Sequence, residues 1–173
     1  MSIRSKYVEH GVDDYYKHHA HDYQNPHEEL IKDHLRHYIH GLGLTPTSTL
    51  DLCCGGGEVT KYLDNIGFND VTGCDPYTHE LYENNTSKEC LRLDFKSIVQ
   101  DGLPKHFDLI VCSFAMHLCP QSMMDVLLYN LSINCNKLLI ISPNKKPDIS
   151  SSFELIDEFE MCRVRSRLYV SKN

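Results

Sequence analysis

From residue 49 onward the chain alternates short apolar runs with amphipathic stretches. The runs at 49–52, 70–74, 90–93, 107–113 and 137–142 have strand length. LIVC and LLIIS within them are continuously apolar, as expected of strands covered on both faces. Helical periodicity fills 58–66 and 121–131, with shorter helical turns predicted near 78–84 and 98–100. Strands alternating with helices predict βαβ units and a parallel sheet. The rhythm then breaks. ISPNKKPDISSS carries no helical pattern, and SFELIDEFEM and RVRSRLYVSKN alternate at period two, like an antiparallel hairpin. The pattern predicts a seven-stranded, mostly parallel sheet with this hairpin inserted at one edge.

Ahead of the sheet, Asn25-Pro26 predicts a helix start, with Asn as N-cap, Pro in the first helical position, and Glu28 and Glu29 at the positive end of the dipole. Leu30, Ile31, Leu35, Tyr38 and Ile39 form one apolar stripe, which Gly41 and Gly43 end. The 173 residues suffice for one domain. We divide it into an N-terminal helical cap or lid segment (1–44) and a core (45–173).

Composition narrows the chemistry. A net charge of −7 disfavours a broad phosphate-binding surface, although Lys145, Lys146, Arg163, Arg165 and Arg167 gather near the C-terminus. Alternation puts the three arginines on one strand face, which reads as a solvated edge or as a contact for RNA or an anionic substrate. No apolar run approaches the roughly 20 residues that cross a bilayer, and the N-terminal stretch is polar, so neither membrane attachment nor a secretory signal is expected. Eight scattered cysteines without a CxxC pair read as reduced thiols of a cytoplasmic or nuclear protein. His34, His37 and His40 fall at i, i+3 and i+6, so the third turns away from the first two; surface histidines and no metal site are expected.

The chemistry concentrates in TLDLCCGGGEVTKYL, where a strand ends at Leu52 and Gly55, Gly56 and Gly57 precede a helix. Ligands of open α/β sheets bind beyond the carboxyl ends of such strands. Glycine there admits a ligand close to the backbone. A phosphate-binding P-loop needs a Lys that is missing, and Glu58 would repel phosphate; GxGxxG fails because Thr60 occupies its last position. A nucleoside without a pyrophosphate suits the turn better. Asp75, about 20 residues on, is placed to accept hydrogen bonds from ribose hydroxyls. Asp94-Phe95, at the end of the next strand, suits an adenine amino group with an aromatic beside the ring. Cys53 and Cys54 read as small residues in a crowded turn rather than as a redox pair.

These segments resemble the class I S-adenosylmethionine-dependent methyltransferases. LDLCCGGGE is similar to their first motif, (V/L)LDxGxGxG; CDPY, LDF and FDLIVCSFAMHL are similar to their second, third and fourth. The resemblance covers roughly residues 45 to 173. It implies a Rossmann-like α/β sheet of order 3-2-1-4-5-7-6 with helices on both faces, and S-adenosyl-L-methionine as cofactor, leaving S-adenosyl-L-homocysteine. By resemblance, Asp51, Cys53, Gly55 and Gly57 hold the methionine part, Asp75 and Pro76 the ribose, and Asp94 and Phe95 the adenine; Ser113 and Phe114 lie beside the sulfonium. Tyr23 of the N-terminal segment is the candidate for the cofactor carboxylate.

CSFAMH differs from the (N/D)PP(Y/F) of adenine-N6 and glutamine-N methyltransferases, and Cys119-Pro120 reverses the Pro-Cys order of base-C5 enzymes. What remains is transfer to an oxygen, nitrogen, sulfur or activated carbon nucleophile, and O, N or S of a small molecule is the expected acceptor. His117 is the candidate general base, or else caps the next helix; Tyr16 is a second candidate in an acceptor pocket that Tyr15, His18, His19, His21 and His27 also approach. The alternatives are a noncatalytic scaffold of this fold, and an RNA or protein methyltransferase that needs an activating subunit. Cys53 departs from the family's usual glycine. If the motif is aligned correctly, its backbone is expected in an ordinary L-residue region; a positive φ would put the turn one residue out of register.

Overall fold

The apolar runs become the centre of a seven-stranded sheet. The structure, a computed structural model, describes residues 24–145 and 147–173. In chain order, α1 (Glu28–Arg36) ends in a π-helical turn (His37–Gly41) and leads to β1 (Thr49–Leu52), α2 (Glu58–Asn65), β2 (Val71–Cys74), α3 (His79–Thr86), β3 (Cys90–Leu91), α4 (Phe95–Asp101) and β4 (Phe107–Ser113). A 3-10 turn (Met116–Leu118), α5 (Gln121–Ser132), β5 (Cys135–Ser142), β6 (Phe153–Met161) and β7 (Val164–Ser171) complete it. The order is β3-β2-β1-β4-β5-β7-β6, parallel through β5, with β7 and β6 antiparallel. This is the architecture expected above, with no helix among the described residues between β5 and β6.

Period two explains why the central strands are apolar throughout. Ile110 and Cys112 of β4, with Leu138 and Ile140 of β5, pack with α4 and α5 on one face. Leu109, Val111, Leu139 and Ile141 pack with α1 and α2 on the other. Each of these eight β4 and β5 side chains therefore leaves water, at roughly 1.5–3 kcal/mol for a Val- or Leu-sized group.

The helix ahead of the sheet starts two residues later than its cap signal predicts. Asn25 is not an N-cap: its Oδ1 accepts from His27 N at 2.9 Å, a local turn, and His27 occupies the cap position. The apolar stripe does face the core, with Ile31, Leu35, Tyr38 and Ile39 buried. The expected surface histidines need correcting too. His34 is fully buried, with Nδ1 2.7 Å from Ser166 Oγ of β7. His37 stacks on Phe159 and reaches Asp157 Oδ2 at 3.1 Å, and Tyr38 donates to the Ser166 carbonyl at 2.8 Å. The three histidines do not converge: His34 and His37 pin α1 to the hairpin, and His40 is exposed. Nor do the three arginines share a strand. Arg163 lies in the β6–β7 turn, the sheet's edge strand is β6, and Arg165 and Arg167 pair across to Glu158 and Glu160.

Burial pushes the His34 pKa below its usual value, against a smaller opposing pull from the Met161 carbonyl. The folded state thus favours neutral imidazole. The stability this contributes is present above about pH 6.5 and is lost as pH falls below it. His34→Gln keeps a hydrogen-bonding group but does not titrate. Chemical denaturation between pH 7 and 5 should show the unfolding free energy of the wild type falling faster than that of the variant, by up to about 1.4 kcal/mol per pH unit; parallel slopes would refute it.

Candidate active site

Strand register assembles the site. Leu52 lies opposite Cys74 on one side and Cys112 on the other. The next residues, Cys53, Asp75 and Ser113, therefore stand abreast at the carboxyl edge of three adjacent strands. Cys53 N donates to the Cys74 carbonyl at 2.7 Å, closing the glycine turn onto β2.

Cys53 has φ +58°, which corrects the expectation of an ordinary backbone there. The positive angles fall at Cys53, Gly55 and Gly57, the three alternating glycine positions of the motif, so they mark the motif's own register rather than a slip. Phe114, just past β4, has φ +54°. Two L-residues in the left-handed region, each costing about 1–3 kcal/mol, flank the same edge; such strain concentrates where a ligand is gripped. The Cys53 thiol sits against the Cys112 thiol, and this contact together with burial raises its pKa well above the usual range, as burial does for Cys54, which lies 3.6 Å from Cys90. All eight cysteines carry free thiols. Those of the turn are poor thiolates, consistent with their reading as space-filling residues.

Beneath the turn, Asp51 is buried and accepts from Thr60 Oγ1 at 2.8 Å and Thr60 N at 3.3 Å through Oδ2. The Thr60 hydroxyl has a single proton and gives it to Asp51, so Tyr82 O–H donates to Thr60, at 2.9 Å. Asp51 Oδ1 is buried without a partner. Burial pushes the Asp51 pKa up to about 8, with nearby Glu58 and Asp75 adding smaller repulsion. Tyr82 reaches Thr60 because β2 carries glycine where its ring rests; a Cβ on Gly73 would lie 2.6 Å from ring atoms. At Gly57 a Cβ would come within 2.6 Å of Thr86 Cγ2, so this glycine serves helix packing as well as ligand approach. Thr60 and Tyr82 were not among the residues expected from sequence. The only hint was a glycine inside a strand otherwise made for bulky residues.

Asp75 Oδ1 accepts from Tyr77 N and Thr78 N, at 2.8 and 2.9 Å, which orients the carboxylate at the end of β2 ahead of Pro76. Asp94 is displaced from its expected place, because β3 stops at Leu91. It is the N-cap of α4, with Oδ1 taking Ser97 N and Oγ at 2.7 Å each, and these bonds lower its pKa. Phe95 follows, half-buried against the core. The first described residues return to this edge. His27 stacks on Phe114 with centroids 4.4 Å apart, and Asn25 approaches Glu58, whose pKa burial raises. Tyr15, Tyr16, His18, His19, His21 and Tyr23 lie outside the described residues.

His117 does not cap the next helix, since Pro120 holds that position. It lines a 360 Å³ cavity with Cys119, Gln121, Met124, Asn144, Lys145 and Pro147, between the 3-10 turn, the start of α5 and the loop after β5. Gln121, Met124 and Asn144 were not anticipated. Among the described residues no three His, Cys, Asp or Glu are grouped to hold a metal ion, and no helix is long and apolar enough to cross a membrane.

Comparison with known proteins agrees with this geometry. A methyltransferase-domain model matches residues 49–132, from β1 through α5. An uncharacterized Schizosaccharomyces pombe protein is 27% identical over 235 residues, covering 99% of this chain and 93% of its own. Among solved structures, N-methyltransferase NodS of Bradyrhizobium japonicum, in complex with S-adenosyl-L-homocysteine, superposes with a TM-score of 0.67 at 13% identity, over 87% of this chain and 90% of its own. Magnesium protoporphyrin IX methyltransferase of Synechocystis, with bound S-adenosylmethionine, also scores 0.67, at 15% identity over 97% and 96%. Motif order, strand order and domain match agree: residues 49–132 match a methyltransferase domain, and the chain has the fold of the class I S-adenosylmethionine-dependent methyltransferases.

Proposed function

We propose that this protein binds S-adenosylmethionine across the carboxyl ends of β1, β2 and β4 and methylates O, N or S of a small molecule held in the adjacent cavity. The observation that carries the reading is Asp51: a buried carboxylate with one oxygen unpartnered, directly under a glycine turn, fits a cationic group arriving from above. The α-ammonium of the cofactor's methionine part is such a group. Cys53, Gly55 and Gly57 would frame that part. The open oxygen of Asp75 would accept from the ribose hydroxyls, with Pro76 fixing the loop behind it. Asp94 and Phe95 would border the adenine, although one Asp94 oxygen is already committed to its helix. When bound, the cofactor supplies a methyl group activated by positive sulfur. The chain's own contribution is then position: Ser113 and the strained Phe114, clamped by His27, border the reacting edge and limit water there. His117, on the cavity wall, would take the proton of a protonated acceptor.

Calorimetry with S-adenosylhomocysteine tests the first half. Asp75→Ala should weaken binding about 10- to 100-fold, the worth of hydrogen bonds to a charged group. No binding by the wild type, or unchanged binding by the variant, would overturn the reading.

The pH dependence tests Asp51. Its carboxyl, with a pKa near 8 in the free protein, must ionise to pair with an ammonium group. A cation beside it lowers that pKa, so binding releases a proton below pH 8. Affinity should fall as pH drops from 8 toward 6, by at most about tenfold per unit, and Asp51→Asn should flatten the profile.

For the chemistry, tritiated-methyl transfer to a cell extract split into metabolites, RNA and protein should label the metabolite fraction. His117→Ala should cut turnover on the labelled acceptor about 100-fold without changing S-adenosylhomocysteine affinity. Undiminished turnover would remove His117 as the base, and labelling confined to RNA or protein would refute the small-molecule acceptor.

A further inference from the structure

The cavity wall carries a chemical bias that the reading above leaves unused. Among the described residues, its lining has one ammonium (Lys145), one imidazole (His117) and two amides (Gln121, Asn144), and no carboxylate. The chain as a whole has 24 acidic residues against 17 basic ones, so a lining without acid runs against its composition. The floor is apolar: Met124 and Cys119 are buried, and Pro147 closes one side. The nearest acidic residue along the loop, Asp148, is engaged elsewhere, accepting from Ser150 N at 3.0 Å. Among the described residues no carboxylate lies within ion-pair distance of Lys145.

The loop bearing Lys145 is held in place. Asn144 N donates to Ser142 Oγ at 3.0 Å, and Arg167 Nη1 donates to the Asn144 carbonyl at 3.3 Å. The Nε of that arginine is taken by Glu158 at 2.5 Å. Arg167 thus fixes the backbone, and its charge is largely answered by Glu158. Among the described residues of the lining, Lys145 is the cation left for a ligand. None of the described residues between β5 and β6 is helical, and this loop forms the wall.

We infer that the methyl acceptor is a small amphipathic anion, its apolar body on Met124, Cys119 and Pro147 and its carboxylate or phosphate at Lys145, with the Asn144 and Gln121 amides as further donors. This deepens the proposed methyltransferase reading and rests on it. A volume of 360 Å³ lies at the lower end for small-molecule pockets and suits an acceptor of about one substituted ring. A surface ion pair alone is worth little. An anion whose body fills an apolar floor gains from both contacts, and Lys145 then decides which end faces outward.

The test uses the full chain saturated with S-adenosylhomocysteine and four probes: benzoate, phenyl phosphate, benzyl alcohol and benzylamine. Amide NMR shifts of His117, Leu118, Cys119, Gln121, Asn144 and Lys145 report occupancy of the cavity, and their titration gives affinities. At least one anion should bind five-fold or more tightly than the alcohol and the amine. Benzoate ahead of phenyl phosphate identifies a carboxylate acceptor, and the reverse order a phosphate. Lys145→Gln should bring the anions down to the level of benzyl alcohol while S-adenosylhomocysteine affinity stays unchanged. No preference among the probes, no binding by any, or anion affinity unaltered in the variant overturns the inference. Failure of S-adenosylhomocysteine to bind, with anion preference intact, would instead overturn the cofactor reading and leave the cavity's selectivity standing.

Discussion

Everything at the site depends on β1 being paired on both sides, in register, with β2 and β4. The opposition of Leu52 to Cys74 and Cys112 places three chain turns at one level, and each turn carries a residue of the candidate site. A shift of one residue in either pairing would reverse every side chain of the strand involved. It would turn Asp51 from Thr60 into the opposite core layer, where a carboxylate has no donor. The alternation that divides Leu109 and Val111 from Ile110 and Cys112 thus protects the site as well as the core.

That pairing also makes strain affordable. Cys53 and Phe114 hold left-handed backbone without being glycine, yet both have backbone N–H groups fixed to a neighbouring strand, at the Cys74 and Ile141 carbonyls. The sheet over-determines their conformation, so the strain is concentrated in the turns that face the ligand. The cysteine at 53 is then intelligible. Its small side chain turns back against Cys112 and adds little bulk to the cleft, where a larger residue in the same backbone would obstruct it.

Much of this was legible in the sequence because period-two and period-3.6 patterns report directly on burial. The strands, the hairpin and the lack of helix among the described residues between β5 and β6 all follow from that signal, as does the glycine turn between β1 and α2. What escaped were features that depend on which side chains meet across the fold. Asn25-Pro26 has the composition of a helix start, but the Asn side chain found a nearer donor and the helix began at Glu28. His34 reads as a polar residue on a polar stretch, and only the arrival of Ser166, 132 positions later, gives it a reason to be buried. Asp94 reads as a ligand residue at a strand end, yet β3 is two residues long and the side chain caps a helix. Thr60 and Tyr82 carry no motif at all; their importance comes from the glycine at 73 that lets a ring lie on the strand.

The hairpin joins these parts in a way no local pattern announces. Ser166 of β7 meets both His34 and Tyr38, and so fixes the rotation of α1. The residues just before α1 carry His27 onto the ring of Phe114. Two positions from Ser166 in either direction, Val164 and Leu168 complete one core layer; between Ser166 and Leu168, Arg167 holds the Asn144 carbonyl of the cavity wall. Adjacent residues of one strand therefore brace opposite sides of the reacting edge: Ser166 through α1 and His27, Arg167 through the loop bearing Lys145. Period two makes this division unavoidable, because neighbours on a strand must face opposite layers. The antiparallel hairpin is thereby more than an edge to the sheet. Lying beside β5 at the edge of the sheet, it supplies both supports from one short segment.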